Sequence, residues 1–375
     1  MAAAAAVILA AAGVYYYVQH PKVPQAAGNG GTAHTTGGSP ATKGAERVLS
    51  VSPAEGATGV NGGSQVRVVF SAALSASSPM PTLTPAIAGS WKRSGNAAVF
   101  VPARGFSPKT KVTVQIPAGG SGVQSASGGV LATPVAVKFR VGQFNRVRME
   151  QLLAQLGYLP LTWAPATGAA APLSSPNAQL SAAYSPPQGN YTWQSGYPAA
   201  LKRLWKPDRT SLILRGAVMA FESDHRLALD GTIGTGVWHA MFRALTRDQL
   251  NKHGYTYALA SQRVPETLTV WHNGTVIFKH EANTGIGVAP TTIGTSPIYL
   301  KYQFQIMKGT NPNGTKYADP VSWVSYFRAG EAVHYFPRYS YGSQQSLGCV
   351  ELPYAPAKKI WPYLTFGTLV TVTAP

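Results

Sequence analysis

At 375 residues the chain is long enough for two or three domains, each with its own core. Hydrophobic residues make up 45% and charged residues only 12%, with 39 Gly and 29 Pro, which favours strand-rich modules joined by flexible segments over a helical bundle. The 31 Lys and Arg against 13 Asp and Glu give +18, a charge that attracts acidic lipid or anionic wall polymers; nucleic acid is set aside, because no basic run, zinc-ligand spacing or nucleic-acid module accompanies it.

The chain opens on "AAAAAVILAAAGVYYYV" (Ala2–Val18), an apolar stretch suited to a membrane anchor or an export signal over residues 1–20. The basic residues that normally precede such a stretch are missing. Residues 21–46, rich in Gly, Ala, Ser and Thr, read as a flexible linker. The remainder is therefore expected to work outside the cytoplasm, facing the cell wall, either anchored or secreted.

From 47 to 142 apolar residues alternate in "QVRVVF" (Gln65–Phe70), "KVTVQIP" (Lys111–Pro117) and "VAVKFRV" (Val135–Val141), separated by turn-rich segments. That period predicts a small β-sandwich. Its opening, "VSPAEGATGVNGGSQVRVVF", resembles bacterial immunoglobulin-like domains of exported proteins, which implies a spacer.

The period changes at residues 146–250. Met149, Leu152, Leu153 and Leu156 share one helical face, and Gly157 supplies a stop. Leu214, Val218 and Phe221 form a second stripe, Asp230-Gly231 a turn, and Val237, Met241, Phe242 and Leu245 a third. This order resembles a three-helix peptidoglycan-binding-like module, interrupted by a Pro/Ala/Ser-rich insertion at 161–209. A helical spacer without a ligand fits the residues equally well. His225 and Asp230 lack a second histidine at a ligand interval, so no metal is expected.

The last third returns to strands. "TLTVWHNGTVIFKHEA" (Thr267–Ala282) places Asn273-Gly274 between two short runs, a hairpin signal. "YQFQIM", "AVHYF" and "TLVTVTA" read as further strands and "YAPAKKIWPYL" as a helix, giving a mainly β domain over 264–375.

This domain holds the only cysteine, Cys349. In an exported chain a thiol without a pairing partner is either inert or kept because it reacts. A reactive thiol needs a base and donors for the oxyanion it generates. His334 lies upstream at the end of a strand-like run, with a loop between the two long enough to turn the chain back. Gly348 permits close approach of a substrate, and the amides of Gly348 and Cys349 are available in principle for an oxyanion. From spacing alone both readings of the thiol stay open.

The same residues resemble the L,D-transpeptidases with a YkuD-type catalytic domain. The resemblance runs through the opening hairpin, "NTGIGVAPTTIG" (Asn283–Gly294), the histidine of "EAVHYF", "SLGCVEL" (Ser346–Leu352) and the closing "GTLVTV" strand. It departs from the family pattern at Leu347 (for His), Glu351 (for Arg or Asn), Tyr335 (for Gly) and in Pro-Thr-Thr-Ile-Gly, departures read as features of a subgroup.

The resemblance implies a fold made of a membrane segment, an Ig-like β-sandwich, a small helical module and a YkuD-type β domain. It implies Cys349 as nucleophile and His334 as general base and acid, forming 3→3 cross-links through a thioester. Peptidoglycan stem peptides would be donor and acceptor. Tyr335 would orient the imidazole through its carbonyl, Ser346 would support the loop, and Arg338 and Glu351 would meet substrate. Neither metal nor organic cofactor is called for. Two alternatives stand beside this: an L,D-carboxypeptidase that resolves the thioester with water, and a non-catalytic wall-binding scaffold.

Overall fold

The computed structural model describes residues 44–166 and 176–375. The expected anchor or signal at 1–20, and the linker up to residue 43, lie outside the described residues. Among the described residues no helix is long and apolar enough to cross a membrane.

The first strands are β1 (Val48–Ser52), β2 (Val66–Phe70), β3 (Thr82–Thr84), β4 (Gly89–Ser94), β5 (Ala97–Pro102), β6 (Lys111–Ile116) and β7 (Val135–Arg140). They form two sheets, β1-β2-β5-β4 and β3-β6-β7. The alternation seen in the sequence is the cause: Val66, Val68 and Phe70 face Val112, Val114 and Ile116 in one core, with Phe106 and Phe139 edge to face at 5.7 Å.

The second region contains α1 (Arg146–Gln155), β8 (Leu161–Pro165), α2 (Pro176–Tyr184), β9 (Gly189–Trp193), α3 (Ala199–Lys202), α4 (Leu212–Asp224) and α5 (Thr235–Thr246). Asn145 caps α1 by accepting the Val147 N–H at 2.9 Å, and Gly157 at φ +80° lets the chain leave it. Ser211 caps α4 in the same manner, accepting the Leu214 N–H at 3.2 Å.

The helices do not form a separate three-helix module. The Pro/Ala/Ser-rich stretch expected as an insertion contributes Leu161, Ala183, Tyr197, Leu201 and Trp205 to the same buried cluster as Leu152, Phe221 and Met241. Its composition hides this because the apolar anchors are spread between polar segments rather than set at one period. The cluster continues into Tyr255, Tyr257 and Leu369, so this region and the C-terminal sheet share a core.

The remaining elements are β10 (Thr256–Ser261), β11 (Thr267–His272), β12 (Thr275–Glu281), β13 (Gly294–Pro297), β14 (Leu300–Thr310), β15 (Lys316–Arg328), β16 (Glu331–Tyr335), β17 (Val350–Leu352), α6 (Tyr354–Ile360) and β18 (Leu369–Thr373). They make a five-stranded sheet, β12-β11-β10-β18-β13, and a four-stranded one, β14-β15-β16-β17. Between the sheets lie Ala258, Val270, Val333, Val350, Leu352 and Val372.

The expected start of this domain at residue 264 is corrected by β10. That strand is the middle of its sheet, antiparallel to β11 and parallel to β18. It is buried on nearly every position, so it lacks the in-out alternation that marks a strand in sequence. The β11–β12 turn is Asn273-Gly274, with φ of +48° and +78°, as a tight hairpin with the strands' own twist requires.

Candidate active site

Strands β16 and β17 run parallel, with His334 beside Glu351. Side chains two apart on a strand share a face, so His334, Glu351 and Cys349 all project to one side. That side is a cavity of about 550 Å³, walled by the long β14–β15 hairpin through Gln305, Met307, Tyr317, Asp319 and Tyr326. Cys349 sits immediately ahead of β17, where the chain emerges from the preceding loop.

The imidazole of His334 is 3% exposed. Its Nδ1 lies 2.9 Å from the Tyr335 carbonyl, an acceptor, which fixes the proton on Nδ1 and leaves Nε2 as the basic nitrogen. Burial lowers the pKa of this histidine, while the Tyr335 carbonyl and the charge of Glu351 pull the other way.

The Cys349 thiol is half-buried, and its Sγ lies 3.8 Å from the Gly330 carbonyl. Burial pushes the thiol up to about 12, partly offset by the Ala332 N–H aimed at the sulfur and reinforced by Glu351 and Glu331. The resting pair is therefore thiol and neutral imidazole, and proton transfer has to accompany attack. Alkylation of Cys349 by iodoacetamide is expected to stay far below that of free cysteine at pH 8.5, where a free thiol is about half ionised. A rate profile against pH that matches free cysteine would refute that state.

The loop before the thiol is held tightly. Ser346 is fully buried; its Oγ donates to the Cys349 carbonyl at 2.6 Å and accepts the Gly348 N–H at 3.2 Å. Gly348 has φ +110°, a conformation that side chains rarely adopt. Its amide donates to Ser346 in this structure, a contact by which the residue shapes the loop.

Comparison with family models matches residues 42–141 to the bacterial Ig-like domain and residues 257–372 to the YkuD L,D-transpeptidase catalytic domain. The C-terminal domain is a YkuD-type L,D-transpeptidase catalytic domain. Solved structures similar to the chain include an L,D-transpeptidase from Mycobacterium smegmatis, 15% identical over 88% of this chain and 99% of that one, with a TM-score of 0.30. L,D-transpeptidase 3 from Mycobacterium tuberculosis, in complex with a faropenem-derived adduct, is 16% identical over 87% and 98%, with a TM-score of 0.29. The catalytic domain of the E. faecium L,D-transpeptidase is 25% identical over 32% of this chain and 96% of that one, also at 0.29. A search of curated proteins gives no match.

Within the transpeptidase domain the segment Asn283–Gly294 braces the cysteine loop. Asn283 and Glu351 exchange backbone hydrogen bonds at 3.0 and 2.9 Å, and Ile286 N–H donates to the Ser346 carbonyl at 2.9 Å. Thr291 hydroxyl reaches the Cys349 carbonyl at 3.4 Å and accepts the Gly285 N–H at 2.8 Å. Behind it the fully buried Glu266 accepts both the N–H and the hydroxyl of Thr284 at 2.7 Å. Nothing in the sequence marks Glu266, which precedes a strand as an ordinary acidic residue would.

Arg338 and Glu351, each expected to meet substrate, meet one another. Arg338 Nε and Nη2 donate to the two carboxylate oxygens of Glu351, both at 2.8 Å, and the guanidinium lies 4.7 Å from the Phe336 ring. Both Glu351 oxygens are thereby occupied, and the pair forms part of the cavity wall. Leu347 stands 37% exposed at the cavity in place of the family's histidine. The tyrosines Tyr317 and Tyr326, whose pKa values burial and the nearby Cys349 both raise, were not singled out in the sequence. A long strand gives no cue to which of its residues will face a site.

Proposed function

We propose that the protein is an extracytoplasmic L,D-transpeptidase that joins peptidoglycan stem peptides through a thioester on Cys349. The observation that carries this reading is the placement of the Cys349 thiol and a His334 imidazole of fixed tautomer on one face of a single cavity, within a transpeptidase domain.

In this reading His334 Nε2 takes the thiol proton as sulfur attacks the carbonyl of the third residue of a donor tetrapeptide. The imidazolium then protonates the departing D-alanine. The side-chain amine of a second stem attacks the thioester, forming the amide of a 3→3 cross-link and returning the thiol. Ser346 and Thr291 hold the loop that presents the sulfur. The Ig-like region serves as a spacer, and the apolar N-terminal stretch as an anchor or export signal. The +18 charge favours residence among anionic wall polymers.

Mass analysis of stem tetrapeptides incubated with the full chain tests the reading. A cross-linked dimer with loss of one D-alanine is expected. Tripeptide alone would establish hydrolysis, hence an L,D-carboxypeptidase. No D-alanine release at all would favour the wall-binding scaffold, a reading supported by the thiol's hydrogen bond to Gly330 rather than to His334.

A further inference from the structure

The cavity beside Cys349 contains a carboxylate that the protein itself leaves unused. Asp319 lies on β15 in register with Met307, on the same strand face as Tyr317, and lines the cavity with Cys349 and His334. It is half-buried. The ion pairs among the described residues are His253–Asp224 and Arg338–Glu351, neither of which includes it. Lys308 lines the same cavity yet stands beyond ion-pairing distance, next to Ala318 in the register. Of the neighbouring acids, Glu351 has both oxygens on Arg338, while Glu331 accepts the N–H and hydroxyl of Thr292 on one oxygen, has its other oxygen buried without a partner, and does not line the cavity.

The position of Asp319 is also central. Its charge is felt by His334, by Arg338 and by Tyr317, and Tyr317 in turn feels Cys349. A carboxylate without an ion-pair partner on the wall of the cavity that holds the sulfur is conspicuous in a chain of 31 basic and 13 acidic residues. A carboxylate partly withdrawn from water gains most from a cation that arrives with a ligand.

The following step rests on the transpeptidase reading, whose second substrate is a primary amine. Such an amine has an ordinary pKa of about 10.4 and therefore enters as an ammonium ion. We propose that Asp319 selects the acceptor, its carboxylate holding the acceptor's side-chain ammonium beside the thioester on Cys349. The ammonium then passes one proton to His334 Nε2. Nitrogen attacks the thioester carbonyl, the C–N bond forms as the C–S bond breaks, and the thiolate takes the second proton. The imidazolium returns its proton to water. Asp319 binds and orients throughout and transfers no proton.

The test uses the full chain, a donor tetrapeptide L-Ala-γ-D-Glu-L-Lys-D-Ala acetylated on its lysine amine, and the tripeptide L-Ala-γ-D-Glu-L-Lys as acceptor. D-Alanine release reports acylation, and dimer reports transfer. Asp319→Asn is expected to raise the acceptor KM about 10-fold, the scale of one charge-assisted hydrogen bond, while D-alanine release changes far less. It should also abolish the rise of acceptor KM with ionic strength that is expected of the wild type, and Asp319→Glu should restore part of both. An unchanged acceptor KM, or a parallel fall in D-alanine release, overturns the proposal. So does a higher KM for the unacetylated donor with the acceptor KM unaltered. Wild-type D-alanine release without any dimer overturns it too, but leaves acylation at Cys349 standing. No release from either donor removes the transpeptidase reading and this proposal together.

Discussion

Incubated with a carbapenem, the wild-type chain is expected to gain the mass of one drug molecule, Cys349→Ala to gain none, and His334→Ala to acylate about 10²–10⁴ times more slowly. The size follows from the state of the thiol. With the sulfur pushed up to about 12, only about one molecule in 10⁵ carries a thiolate at pH 7. Nucleophilic attack then depends on a base that removes the proton during the reaction. Nε2 of His334 is the nitrogen left free by the Tyr335 carbonyl. Burial lowers the histidine pKa, so the neutral base persists to lower pH than an ordinary imidazole. The acid limb of the acylation rate should accordingly fall below about 6.5. Acylation of His334→Ala at the wild-type rate would exclude the imidazole as base.

Arg338→Met is expected to destabilise the fold by about 3–5 kcal/mol, read from urea unfolding, because it strands the carboxylate of Glu351. That residue is 4% exposed and both of its oxygens are held by the guanidinium. Glu351 also lies in β17, whose backbone is locked to Asn283, so its carboxylate cannot move far from the place where the guanidinium held it. The double variant Arg338→Met/Glu351→Leu should recover much of the loss, since removing both partners leaves no uncompensated charge. A loss under about 1 kcal/mol for the single variant would place the pair with ordinary exposed ion pairs.

The parts of this molecule that were legible in sequence are those governed by a local period or a local turn. Alternation exposed β2, β6 and β7 in the sandwich, and Asn273-Gly274 announced the β11–β12 hairpin. The signature around Cys349, together with His334, led to a transpeptidase domain, which the family model also recognises. What stayed hidden depends on partners distant in sequence. Strand β10 is buried on both faces and carries no alternation. The Arg338–Glu351 pair joins two residues that each look free in a linear chain. The amide of Gly348 looks available until Ser346 folds back onto it. Leu161, Tyr197 and Trp205 read as part of an insertion until they pack in one cluster with Phe221.

The parallel pairing of β10 with β18 also governs how the domain can assemble. Tyr257 pairs with Leu369 and Ser261 with Thr373, contacts that join the ends of the domain's sequence. Strands β11 and β12 can add to one side of β10 by short hairpin closures, whereas the other side must wait for a partner more than a hundred residues further along. During that interval a chain emerging amino end first presents an apolar strand with one open row of N–H and C=O groups. Such an edge invites pairing with another copy. Slowed synthesis or export before Leu369 would lengthen the interval and direct nascent chains toward aggregation through Thr256–Ser261.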